Sequence, residues 1–214
     1  MPDLLSTLSP VLALIGGYLL GSLPFAVIVS RLMGLRDPRS FGSGNPGATN
    51  VLRSGSKTAA VLTLLGDAAK GWAAVALAAW CVRQGGLPAL VIPLAGLGAV
   101  LGHMLSVFLQ FRGGKGVATA LGVLLALQPG LALAAVLTFL VVVFATRYAS
   151  LASILAAVFA PFYYVLGDNV AWRANAPTAI VIVLISVLVI NRHKANISRL
   201  LKGTESRLGA KKKP

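Results

Sequence analysis

Three short polar stretches interrupt an otherwise apolar chain, and each carries residue types suited to holding a phosphate. The first is SGNPGATNVLR, Ser43–Arg53. Gly44 and Gly47 permit left-handed backbone and close approach to a ligand. Ser43, Asn45, Thr49 and Asn50 offer side-chain donors and acceptors. Arg53 adds a planar fork suited to phosphate or carboxylate. Taken alone, the stretch reads equally well as a polar turn between two helices. The second stretch is RGGKG, Arg112–Gly116. It is not a Walker A loop, because Leu109 stands where that motif needs its first glycine and Gly116 where it needs Ser or Thr. A glycine nest opening the helix Val117–Leu127 still makes an anion site. Its N–H groups are expected to point at the ligand, and the helix dipole favours negative charge. Lys115 supplies a mobile cation, and Thr119 lies in the first helical turn. The third stretch holds His193, Asn196, Arg199, Gly203 and Glu205. His193 and Asn196 are spaced i, i+3 and share a helix face. The same stretch also reads as a basic amphipathic helix, with Ile197, Leu200 and Leu201 dipping into a membrane interface.

The elements that position these stretches are apolar. Of 214 residues, 57% are hydrophobic and 11% charged. That balance excludes an ordinary soluble domain, and the long uncharged runs imply a polytopic helix bundle. No polar stretch is long enough for a second core, so 1–214 is expected to be a single integral membrane domain. The formal charge of +14 fits a positive-inside bias and anionic headgroups better than nucleic acid. Cys81 is the sole cysteine, and five acids with two histidines leave little for a metal. Neither metal nor cofactor is expected. The N-terminus lacks the basic region of a signal peptide and reads as leading into a retained span.

Seven segments are expected: Val11–Met33, Ala59–Val82, Pro88–Phe111, Val117–Leu127, a helix beginning after the Gln128–Pro129–Gly130 interruption, Leu151–Leu166 and Pro177–Asn191. Gly17 with Gly21, and Gly98 with Gly102, are spaced for close helix packing. Arg31, Arg36 and Arg39 follow the first span, whereas Asp3 is the one charge before it. The N-terminus is therefore expected outside, with the 34–58 loop and the C-terminus in the cytoplasm. Reading Val117–Ala145 as two helices keeps the basic tail 204–214 inside and leaves only Arg83 and Arg173 among the loop cations outside. Val117–Leu127 covers only ~17 Å of a ~30 Å apolar core, so it is either re-entrant or shielded by protein. Asp67 and Lys70 lie within the second span, i, i+3 apart. They form either a structural ion pair or a second layer beneath the 43–53 loop. His103 is either a hydrogen-bonded structural histidine or part of the neighbouring glycine site.

On these motifs the chain resembles the bacterial acyl-phosphate-dependent glycerol-3-phosphate acyltransferases. SGNPGATNVLR, GHMLSVFLQFRGGKGVAT at Gly102–Thr119 and RHKANISRLLKGTE at Arg192–Glu205 resemble the family's three motifs. GSLPFA at Gly21–Ala26 and GDAAKG at Gly66–Gly71 match as well. The resemblance implies transfer of an acyl group from acyl phosphate to the 1-hydroxyl of glycerol 3-phosphate, giving lysophosphatidic acid and phosphate. This is the first acylation of phospholipid synthesis. It implies an inner-membrane enzyme with its site on the cytoplasmic face, and docking of the soluble enzyme that makes acyl phosphate. It assigns glycerol 3-phosphate to Ser43, Arg53, Lys115, His193 and Asn196. Acyl phosphate is expected at Asn45, Gly47, Thr49, Asn50, Gly113, Gly114 and Gly116, with Asp67, Lys70, His103 and Glu205 in support.

The chemistry suits these residues. Acyl phosphate is a mixed anhydride with a good leaving group, so no covalent serine intermediate is required, and no G-x-S-x-G elbow occurs. Positioning the hydroxyl against the carbonyl would supply much of the barrier reduction, and loop N–H groups would stabilise the oxyanion. Two bases are open for the hydroxyl proton: His193 and the donor's own phosphate. A transporter or flippase for a phosphorylated solute or lipid is the competing reading. Asp67 and Lys70 would fit its gated path, but no paired inverted repeat is visible.

Overall fold

A computed structural model describes residues 4–209, so Asp3 and the Lys211–Lys213 run lie outside the described residues. The described residues are all-helical, with ten α-helices, three short 3₁₀ turns and no strand. They fall into two compact units, 1–127 and 128–214.

The first unit contains α1 (Leu4–Gly21), α2 (Phe25–Leu32), α3 (Ala48–Val51), α4 (Lys57–Arg83), α5 (Val91–Met104) and α6 (Val117–Leu127). Glycines decide its packing. A Cβ at Gly17 or Gly21 would collide with the carbonyls of Ala95 or Ala99. One at Gly98 or Gly102 would collide with those of Leu14 or Tyr18. α1 and α5 therefore meet backbone to backbone, and both glycine pairs are packing faces, as expected. The same device joins α4 to α6: Gly71 faces the Thr119 carbonyl and Gly122 faces that of Ala68. α6 is thus shielded on one side by α4 and buries Thr119, Ala120, Val123 and Leu124. In a lipid solvent apolar burial between helices gains little, so such close approach carries the association.

The first expected span, Val11–Met33, corresponds to one apolar segment, Leu4–Leu32, built of two helices. Pro24 lacks an N–H, and the chain leaves helical geometry over Ser22–Pro24 before resuming at Phe25. The third expected span, Pro88–Phe111, matches the apolar segment Val91–Leu109, but only its first part is α-helix. α5 stops at Met104 and gives way to a 3₁₀ turn at Val107–Leu109, followed by left-handed Gln110 and Phe111.

The second unit contains α7 (Pro129–Thr146), α8 (Ala149–Leu166), α9 (Ala176–Arg192) and α10 (Lys194–Leu201). Pro129 occupies the first turn of α7, as the interruption at Gln128–Gly130 predicts. Left-handed Arg147 turns α7 into α8. The α8–α9 loop is closed by Trp172, which stacks on Tyr164 and donates its indole N–H to the Tyr164 carbonyl at 2.8 Å. Asn175 caps α9 by accepting from Thr178 N at 3.0 Å. α9 and α10 are bent by 57° at their junction.

Five segments are long and apolar enough to cross a membrane: Leu4–Leu32, Lys57–Arg83, Val91–Leu109, Pro129–Thr146 and Ala149–Leu166. The bent α9–α10 pair makes a sixth if it counts as one span, and Val117–Leu127 is a shorter apolar helix. Gly98→Val is expected to cost about 3 kcal/mol or more, because the new side chain must separate two backbones. Gly16→Val, with no atom within 4 Å of the added Cβ, serves as the matched control. Apparent melting temperatures of the two purified variants check this: Gly98→Val should fall by several degrees and Gly16→Val should not.

Candidate active site

The first polar stretch is a self-knotted loop. Asn50 is 2% exposed, and its amide holds the loop together. Its Nδ2 donates to Pro38 O at 2.6 Å and Phe41 O at 3.1 Å. Its Oδ1 accepts from Ser43 N at 3.0 Å and from an Arg53 guanidinium nitrogen at 3.3 Å. Gly42 adopts φ +61, and a Cβ there would strike Asn50 Oδ1. Asn50 was expected to contact acyl phosphate. The structure instead commits its donors and acceptors to the loop itself, where they orient Ser43 and Arg53. Ser43, Thr49 and Arg53 are exposed, while Asn45 and Gly47 are half-buried.

The second stretch is stitched to the end of α5. Gly113 N donates to Met104 O at 3.1 Å and Gly114 N donates to His103 O at 3.0 Å. These two N–H groups therefore cap the helix that precedes them, which corrects the expectation that they point at the ligand. Their glycine identity is still required, since a Cβ at Gly113 would strike the His103 carbonyl. Gly116 turns the chain with φ +81 and accepts from Ala120 N at 2.7 Å, which opens α6. The N–H groups left to meet an anion are those of the first turn of α6, which have no partner within the helix. Lys115 stands half-buried at that entrance.

Beneath both stretches lies a buried charge cluster. Asp67 and Lys70 are 2% and 4% exposed. Asp67 Oδ1 lies 2.8 Å from Lys70 Nζ and 3.4 Å from His103 Nδ1, and neither approach is a well-aligned hydrogen bond. Lys70 donates to the Leu23 carbonyl at 2.7 Å and sits 5.9 Å from the centre of the Phe25 ring. Ser106 donates to the Ser22 carbonyl at 2.6 Å. The carbonyls exposed by the break before Pro24 are thus satisfied from α4 and from the segment after α5. The break, Pro46, the ion pair, His103, Ser106 and Gly114 all line one void of about 10 Å³. Ser22 and Ser106 escaped the sequence reading. Their signal, a serine beside an X-Pro step and another just past a helix end, is too common to single out.

In the second unit, His193 is 2% exposed and its Nδ1 lies 2.8 Å from the Val189 carbonyl. A carbonyl only accepts, so Nδ1 carries the proton and Nε2 is the acceptor of the neutral ring. Asn196 Nδ2 donates to Glu205 Oε1 at 2.6 Å, Ser150 Oγ donates to the same oxygen at 2.7 Å, and Arg199 Nε donates to Oε2 at 2.7 Å. Glu205 thereby orients Asn196 and draws the chain after α10 back onto α8. Among the described residues no group of three His, Cys, Asp or Glu could hold a metal.

Burial pushes the Glu205 carboxyl up, but hydrogen bonds from Asn196, Ser150 and Arg199 outweigh it and hold the group below its ordinary value of 4.5. A depressed carboxyl stabilises the fold above its unfolded pKa and loses that contribution as pH falls through the folded one. Glu205→Gln should therefore lower the apparent melting temperature at pH 7. The gap to wild type should close progressively below pH 4.5. Melting curves across that range check it, and a gap that persists at the acid end contradicts the assignment.

The family model of glycerol-3-phosphate acyltransferase matches residues 11–203. The glycerol-3-phosphate acyltransferase of Bordetella petrii is 60% identical over 196 residues, covering 92% of each chain. A crystal structure of PlsY (YgiH), an integral membrane glycerol 3-phosphate acyltransferase in its glycerol 3-phosphate form, superposes with a TM-score of 0.83. It is 42% identical and covers 94% of this chain and 96% of its own. The lysophosphatidic acid form of that protein gives 0.82 at 41% identity, with the same coverage. The chain belongs to the glycerol-3-phosphate acyltransferase family and is an integral membrane acyltransferase of phospholipid biosynthesis.

Proposed function

We propose that the protein transfers an acyl group from acyl phosphate to the 1-hydroxyl of sn-glycerol 3-phosphate, releasing lysophosphatidic acid and inorganic phosphate. The observation that carries this reading is the pair of related structures in glycerol 3-phosphate and lysophosphatidic acid forms, the acceptor and product of one acylation. In the step itself, the glycerol 1-oxygen bonds to the acyl carbon and the acyl–phosphate C–O bond breaks. The hydroxyl proton passes to a base and ends on water or the released phosphate.

Glycerol 3-phosphate is assigned to Ser43, Arg53, Lys115, His193 and Asn196. The donor phosphate is assigned to Asn45, Gly47, Thr49, Gly116 and the N–H groups of the first turn of α6. Asn50, Gly113 and Gly114 act as organisers of these two loops rather than as contacts. Two phosphates close together need cations without an adjacent carboxylate. Asp67 and Glu205 satisfy that requirement by being engaged with their own partners, Lys70 in one case and Asn196, Ser150 and Arg199 in the other. Oxyanion stabilisation and alignment supply the acceleration. The donor's phosphate is the preferred base, and His193 Nε2 the alternative. The reaction takes place on the cytoplasmic face of the inner membrane, with seven segments, the N-terminus outside and the C-terminus inside. The soluble enzyme that makes acyl phosphate is the expected supplier.

The first test offers purified, detergent-solubilised protein glycerol 3-phosphate with acyl phosphate, acyl-CoA or acyl carrier protein in parallel. Phosphate release with acyl phosphate alone, matched by lysophosphatidic acid, is expected; turnover with either other donor would refute the donor assignment. Arg53→Ala and Lys115→Ala should each lower kcat/KM at least ~100-fold, through loss of charge-assisted phosphate contacts. Near-normal turnover in either would remove that residue from the site. His193→Gln separates two roles: a base would show in kcat and its pH profile, and an acceptor-binding group in KM for glycerol 3-phosphate. With phosphate as base, the expected change is in KM.

A further inference from the structure

His103 has no assigned contact with either substrate, yet three independent features of the first unit converge on it. Its carbonyl accepts from Gly114 N, so its backbone already holds the second polar stretch. Its ring closes the space above Gly114. A Cβ there would collide with His103 Nε2, lie 3.1 Å from Cε1, and lie 3.1 Å from the carbonyl of Pro46 in the first polar stretch. Its other nitrogen, Nδ1, is buried 3.4 Å from Asp67 Oδ1 and makes no well-aligned hydrogen bond. The charged groups facing it come from α4, and Lys70 is already shared between Asp67 and the Leu23 carbonyl.

We infer that His103 is a positioning residue of the acyl-transfer site, the wall against which Gly114 and Pro46 are set so that the two glycine-rich loops form one phosphate cradle. A carboxylate facing Nδ1 selects the tautomer with the proton on that nitrogen and fixes the ring plane. The ring edge bearing Nε2 and Cε1 then presses on Gly114 and sets the distance between Gly114 and the Pro46 carbonyl. Histidine suits the role because it is a rigid plane with a donor at Nδ1 and the Nε2–Cε1 edge on the far side. Leucine or methionine of similar size would fill the space without being steered by Asp67. The inference deepens the reading of the two loops as phosphate-binding and rests on it.

The test uses two binding probes that need no turnover, glycerol 3-phosphate and inorganic phosphate, titrated calorimetrically into purified protein. His103→Asn keeps a short amide that can face Asp67 and gives up the edge that touches Gly114. It should melt within a few degrees of wild type yet bind glycerol 3-phosphate at least about tenfold more weakly, since a loop displaced by ~1 Å loses alignment steeply. In turnover, KM for glycerol 3-phosphate should rise more than kcat falls. Gly114→Ala should weaken binding as well. The double variant should bind about fivefold better than Gly114→Ala alone, because the shortened side chain vacates the space that the new methyl needs. Should His103→Asn fail to fold, His103→Gln is the second variant. Its amide reaches the position facing Gly114 and should keep affinity within about threefold of wild type. A folded His103→Asn with wild-type affinity, losses that simply multiply in the double variant, or a His103→Gln as weak as Gly114→Ala would each overturn the inference. Failure of the wild-type protein to bind either probe would overturn the phosphate reading of the loops and this inference with it.

Discussion

The bond from Lys70 to the Leu23 carbonyl is the constraint on which the first unit depends. A proline inside an apolar segment strips the preceding turn of its helical hydrogen bonds, and in a membrane no water is at hand to replace them. Lys70 answers one of the exposed carbonyls and Ser106 answers the next. A buried ammonium is itself costly, so Asp67 at i−3 balances it, and the Phe25 face lies alongside. The chain could have avoided both costs with an unbroken helix. The broken one places two carbonyls, those of Ser22 and Leu23, where Ser106 and Lys70 can take them. Removing either partner would leave an unpaired buried charge, a defect of several kcal/mol.

Glycine does the rest of the architecture, by two distinct means. Between α1 and α5, and between α4 and α6, it is needed for what it lacks: the Cβ would occupy a neighbouring backbone. At Gly42 and Gly116 it is needed also for its left-handed φ. Gly113 and Gly114 belong to the first kind although they sit in a loop. They tie the second polar stretch to the end of α5 just before α6 begins. Loops tied down in this way suit the proposed reaction, whose donor is already activated and which needs alignment more than covalent chemistry.

Much of this was legible in the sequence, and the parts that were not share one cause. The helix over Val117–Leu127, the stop at Gln128–Pro129 and the glycine faces on α1 and α5 follow from local residue chemistry, and the structure places them there. The family was legible because five motifs lie in order along the chain. The hidden features are all decided by a partner far away in sequence. Asn50 looks like a ligand until Pro38 and Phe41 are seen to take its amide protons. The N–H groups of Gly113 and Gly114 look available until Met104 and His103 take them. Asp67 and Lys70 resemble a gated ion path until Leu23 explains the ammonium. A residue list gives a site its donors and acceptors, but not which of them the fold has already used.

That distinction bears on the proton. His193 donates Nδ1–H to the Val189 carbonyl, four residues back on the same helix. The bond holds the ring and sets the tautomer, but a peptide carbonyl is a far weaker support than a carboxylate for the imidazolium that a base must become. Asp67 and Glu205 are engaged elsewhere, and Glu205 gives both of its oxygens to Asn196, Ser150 and Arg199. A histidine held by a carbonyl is well suited to accept or donate one directed hydrogen bond to a neutral hydroxyl, and poorly suited to stabilise its own full protonation. The donor's phosphate gains basicity as its bond to the acyl group breaks, so the strongest base appears when and where the proton is released. On the proposed reaction, His193 orients the glycerol hydroxyl and the departing phosphate takes its proton.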